Sequence, residues 1–193
     1  CSPSFQSGKC TMSKLLIKIA VRSMLVTTSR QRATNQARRM LEAYLQLAEG
    51  LGPEAGCVAV EVPPMRGVDE DMRRWSFYMI IEHNTIVNRS ISAMILQLVK
   101  AEPLSGAAAI DPKKDVMPIP SAGKEQLQAF KESIDDHVSM IEGLGSLRGT
   151  HSSPHPIFGN FDAHMWNCMF SFHLGLHYKQ ARHVARMANM ENG

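Results

Sequence analysis

Apolar residues in this chain recur at intervals of three and four over long stretches, the period of helices with one buried face. The first such stretch covers 28–51, where Ala37, Leu41, Tyr44, Leu45, Ala48 and Leu51 share a face before "GLGPEAG" breaks the pattern. A second covers 69–100, with Trp75, Tyr78, Met79, Ile86, Met94 and Leu98 on its inner side and Asp69, Glu70 and Asp71 at its positive N-terminal end. The third, 124–144, turns Leu127, Phe130, Ile134, Val138 and Ile141 inward and ends at Gly143 and Gly145. The fourth, 162–189, starts at Asp162 as N-cap. Nothing alternates with the period of a strand, although "CVAVEVPPMRG" passes through an extended conformation until Pro63 and Pro64 end it. The prediction is an all-α fold: an antiparallel four-helix bundle, with 14–26 either an extra lead-in helix or an extension of the first.

Two segments lie outside that pattern. The proline-rich connection 101–123, between the second and third helices, is long enough to wall a site. Residues 1–13 lack periodicity and are expected to be an unstructured extension, or to precede a natural start near Met12, leaving 14–193 as one domain. Length agrees, since 193 residues suffice for one full core but not comfortably for two.

Composition narrows the function classes. The chain is 44% hydrophobic and 20% charged, with a net charge of +3. Its densest basic run, "SRQRATNQARR", is diluted by polar residues and reads as a solvated helix face, not a nucleic-acid stripe. The most apolar run, "LLIKIAVRSMLV", is too short to span a bilayer and is interrupted by Lys18 and Arg22. The four cysteines form no CxxC pair, which points to reduced thiols and a cytoplasmic location, with Cys168 as a buried small hydrophobe. The 13 methionines are spread along the helices as core filler, and the glycines of "GLGPEAG" and "GLGSLRG" are helix stops.

The candidate chemistry lies in the histidines. On the fourth helix Trp166, Phe170, His173 and His177 follow one another at four, three and four, so two imidazoles share the aromatic, inward face one turn apart. Buried imidazoles need partners, and a divalent metal would satisfy both; ordinary hydrogen bonding is the alternative. A third ligand would have to come from another helix. His83, in "WSFYMIIEHNTIVN", sits nearest the inner face of the second. His137, flanked by Asp135 and Asp136, is expected to face water, while His164 and His183 leave the stripe and His155 helps fix the entry to the last helix.

These segments also resemble a known family. "RRWSFYMIIEH" is similar to the Trp-Ser…His signature on the second helix of the DinB-like (DinB/YfiT) four-helix-bundle metalloproteins, and "HPIFGNFDAHMW…FHLGLHYKQ" is similar to that family's closing segment. The resemblance covers about 28–188. It implies that His83, His173 and His177 bind one divalent ion, that His155, Pro156 and Gly159 shape the turn into the last helix, and that Gln180 is the glutamine trailing the pair. The sequence departs at Tyr178, where many members have a further histidine. Zinc, nickel and iron all suit such ligands.

What the resemblance implies about activity is a metal-dependent enzyme on small molecules. Thiol-dependent S-transfer with a low-molecular-weight thiol as co-substrate comes first, with the metal lowering the thiol's pKa; metal-dependent hydrolysis comes second. A non-catalytic, metal-stabilised or stress-associated interaction bundle is the third alternative, and no residue declares itself as the catalytic base. The expected partner is a small-molecule substrate, without nucleic acid or membrane, and spare apolar surface leaves room for a homodimer.

Overall fold

A computed structural model describes residues 7–52, 54–101 and 115–191. Five helices dominate it: α1 (Ser7–Thr27), α2 (Arg30–Glu49), α3 (Phe77–Lys100), α4 (Gln126–Gly143) and α5 (Ala163–Glu191). Helices α2 to α5 form the bundle, with contacts from α2 to α5, α5 to α3, α3 to α4 and α4 to α2 closing a ring around one core. The all-α reading therefore holds. Among the described residues no helix is long and apolar enough to cross a membrane.

Local chemistry explains where these helices start. Ser29 caps α2 by accepting from Arg32 N at 3.1 Å, and Asp162 Oδ1 accepts from Met165 N at 2.8 Å where α5 begins; both oxygens satisfy amides that have no helical partner. The predicted inner face of α2 is buried at Ala37, Leu41, Tyr44 and Ala48, and that of α4 at Phe130, Ile134, Val138 and Ile141. Tyr44 meets Phe130 edge-on, with ring centroids 5.1 Å apart. Such fully buried aromatics contribute about 1.5–3 kcal/mol each through burial.

The second helix differs from expectation. It starts at Phe77, not near 69, because Ser76 caps it, accepting from Met79 N at 3.2 Å. The preceding residues are held extended: β1 (Val60–Glu61) pairs antiparallel with β2 (Arg74–Trp75), aligning Val60 with Trp75. Asp69–Asp71 accordingly sit around a 3-10 turn (Glu70–Met72) and not at the helix's positive end. The inner face is in part as expected, with Trp75, Tyr78 and Leu98 buried. Ile80, Ile81, Ile91 and Ile95 are buried, whereas Met79, Ile86 and Met94 lie half-buried on the flank.

A second small ladder, β3 (Ser153–His155) against β4 (Gly159–Phe161), occupies the loop before α5. His155 Nδ1 accepts from the backbone of Ile157 and Phe158 at 3.1 and 3.3 Å, fixing this turn as expected. From Ala163 to Ser171 every residue of α5 is buried. This is the signature of a helix covered all round.

Helix α1 begins at Ser7, so residues 7–13, expected as extension, are helical, while 1–6 lie outside the described residues. Its Leu25 is buried, but Leu15, Leu16, Ile17 and Ile19 are exposed. Arg22 anchors it by donating to the carbonyls of Phe158 and Asn160 at 2.8 and 3.0 Å. Of the proline-rich connection, 102–114 lie outside the described residues.

Candidate metal centre

The contact between α3 and α5 sets the three histidines together. His83 comes from the middle of α3, and His173 and His177 from successive turns of α5. Their ring centroids are 5.2 Å (His83–His173), 4.6 Å (His83–His177) and 4.6 Å (His173–His177) apart. One nitrogen from each ring lies within 4.8 Å of the others. Among the described residues this is the one group of three or more histidine, cysteine or carboxylate side chains able to share an ion.

Hydrogen bonding sets the tautomers. His83 Nδ1 lies 2.7 Å from the carbonyl oxygen of Val116, so it carries the proton and Nε2 keeps its lone pair. Gln180 Nε2 donates to Met72 O at 2.7 Å, which leaves its Oε1 to accept from His177 Nδ1 at 2.9 Å. His177 Nε2 is then also a bare acceptor. Among the described residues two nitrogens of the group, His83 Nε2 and His173 Nδ1, are buried without a hydrogen-bond partner. Leaving such atoms unsatisfied costs roughly 1–3 kcal/mol each, and a cation between them would remove that cost. The residues present fit a divalent ion.

Electrostatics agree. Burial holds the pKa of His83 below its ordinary value. Burial and then the neighbouring His177 and His83 push His173 well below its own. Burial and then His83 bring His177 down to about 3. All three are neutral at pH 7, the form in which imidazole binds metals. Trp75 closes one side, its ring 5.0 Å from that of His83 and stacked over that of His177 at 6.4 Å. His173 is half-buried as a residue, whereas His83 and His177 are buried.

Other candidates are placed elsewhere. Glu82, next to His83 in sequence, accepts from Ile119 N at 2.8 Å and braces the end of the long connection. His164 is buried with its Nε2 3.7 Å from Cys168 Sγ, and burial pushes that thiol up to about 12. Tyr178 packs edge-on against Tyr44 with ring centroids 5.3 Å apart.

His137 corrects the sequence reading: it is 1% exposed and does not face water. It lies within hydrogen-bond reach of Ser92 Oγ (2.9 Å) and Asn167 Oδ1 (3.1 Å) and stacks on Phe170 with centroids 3.5 Å apart. Three residues past Ile134, it shares the inward face, and the flanking carboxylates do not move it off that face. What sequence reasoning missed outright are the carbonyls of Val116 and Met72, since a backbone oxygen leaves no residue-type signal.

Fold and site together define a helical bundle with a buried three-histidine group able to hold a metal ion. Comparison with protein-family models, curated proteins and solved structures finds no match.

Proposed function

We propose that the protein binds one divalent metal ion through His83, His173 and His177, and that it is a metal-dependent enzyme of the DinB-like kind acting on small molecules. One observation carries the reading. Three neutral imidazoles cluster between two helices, and His83 and His177 each donate Nδ1–H, to Val116 O and Gln180 Oε1, which leaves their Nε2 lone pairs free. Among the described residues no carboxylate or thiolate joins them, which leaves room for a non-protein ligand, the pattern of catalytic rather than closed structural sites.

Bound there, the ion would supply Lewis acidity to a thiol or a water molecule at neutral pH. The chain's own contribution is to hold the imidazoles neutral, to lock two of them by Val116 and Gln180, and to shield the group with Trp75. Thiol-dependent S-transfer is the first choice of reaction and metal-dependent hydrolysis the second. Near-complete burial of His83 and His177 also favours a stabilising metal as a separate reading.

The test has two stages. Protein purified without added metal should carry close to one divalent ion per chain by elemental analysis, and His83→Ala and His173→Ala should each lose most of it. Loaded protein incubated with a cellular thiol and a generic electrophile should then give a metal-dependent rate. Full metal content with no rate on thiol or ester substrates would favour the stabilising role.

A further inference from the structure

A second feature of α5 has no part in the histidine group. Its outer face and the loop 62–68 enclose a cleft of about 670 Å³. Arg66 enters from the loop, and Lys179, Arg182 and Arg186 enter from α5. Spaced at three and four, these three form a row along one helix face, about 10 Å from end to end. Met65 and Leu176 supply the apolar part of the lining, and His183 adds a further nitrogen.

Among the described residues no carboxylate lines the cleft, although Asp69, Glu70 and Asp71 follow on the same loop. Among the described residues none of the four cations has an ion pair or side-chain hydrogen bond. Arginines elsewhere act as clamps: Arg22 on the β3–β4 turn, Arg30 on the carbonyls after α4, Arg38 on Glu142, and Arg148 on Val26 O. Like charges three and four apart on a helix repel one another. The row therefore carries a cost that an anion would relieve.

We propose that this cleft binds a phosphate-bearing small molecule with an apolar body. The planar guanidinium fork matches phosphate oxygens two at a time, and three arginines with one lysine can neutralise more than one negative charge. Met65 and Leu176 give an apolar body something to contact. The volume lies within the roughly 300–1,000 Å³ typical of small-ligand sites. Leu176 precedes His177 by one residue and so points about 100° round the helix from it. Occupancy of the cleft is independent of the metal.

The experiment is calorimetric titration of the full chain at low salt. The probes are hexyl phosphate, inorganic phosphate, hexanol and phosphatidylglycerol vesicles. Hexyl phosphate should bind more tightly than inorganic phosphate, hexanol should not bind, and salt should weaken the interaction. Arg182→Ala, Arg186→Ala and the double variant should each weaken it, the single ones roughly tenfold, with the thermal midpoint of the ligand-free protein held or slightly raised, because both side chains are exposed and one repelling charge is removed. His83→Ala should bind hexyl phosphate like the parent. Equal binding by the double arginine variant, or loss of binding in His83→Ala, would overturn the assignment. Binding to vesicles without binding to hexyl phosphate would overturn it in favour of a lipid surface.

Discussion

Acid should destabilise the metal-free protein, by an amount that two histidines allow to be worked out. His137 and His177 are 1% and 2% exposed, and burial lowers them from an ordinary 6.5 to about 4 and about 3. On acidification the unfolded chain takes up protons first, so stability falls as pH drops below about 6.5 and keeps falling until each folded-state pKa is reached. The slope is about 1.4 kcal/mol per pH unit per histidine. At pH 5, about 1.5 units below 6.5, the pair has removed roughly 4 kcal/mol. His83 and His173, also lowered by burial, add in the same direction. Against a typical total of about 5–15 kcal/mol, that is a large share. Urea melts of chelator-treated protein, followed by circular dichroism, should show a much lower midpoint at pH 5 than at pH 7. They should show little change from these groups above pH 7. A divalent ion, binding only the folded state, should raise the neutral-pH midpoint and steepen its loss in acid, because protons and metal compete for the same nitrogens. An equal midpoint at pH 5 and pH 7 without metal would refute the claim that these imidazoles are buried and neutral.

Further expectations concern single side chains. Gln180→Leu removes the acceptor for His177 Nδ1 and the donor to Met72 O; metal affinity should fall roughly 10–100-fold, read by competition with a chromogenic chelator. Tyr44→Phe removes a buried hydroxyl that donates to Leu174 O at 3.1 Å and accepts from Asn84 Nδ2 at 3.3 Å. It should cost roughly 1–3 kcal/mol in a urea melt while leaving metal content unchanged. Gly56→Ala would drive a methyl into the ring of Tyr78, itself 1% exposed and unable to retreat. A loss of about 1–3 kcal/mol is expected, checked by thermal unfolding.

Much of this protein is written in its local pattern. The spacing of Ala37, Leu41, Tyr44 and Ala48, the cap Asp162, and the Gly and Pro stops are short-range signals, and they place α2, α4 and the start of α5 within a few residues. The pairing of His173 with His177 is likewise dictated by helical geometry once the helix forms. Other features depend on residues far apart in the chain. Trp75 sits on a strand because Val60 pairs with it, which moves the start of α3 eight residues beyond the expected 69. His137 is buried because α3 and α5 bring Ser92, Asn167 and Phe170 to it. The approach of His83 to the pair on α5, and the carbonyls that set the tautomers, likewise come from packing. Periodicity ranks positions around one helix axis, but the rotation of one helix against another is decided only when their side chains interlock.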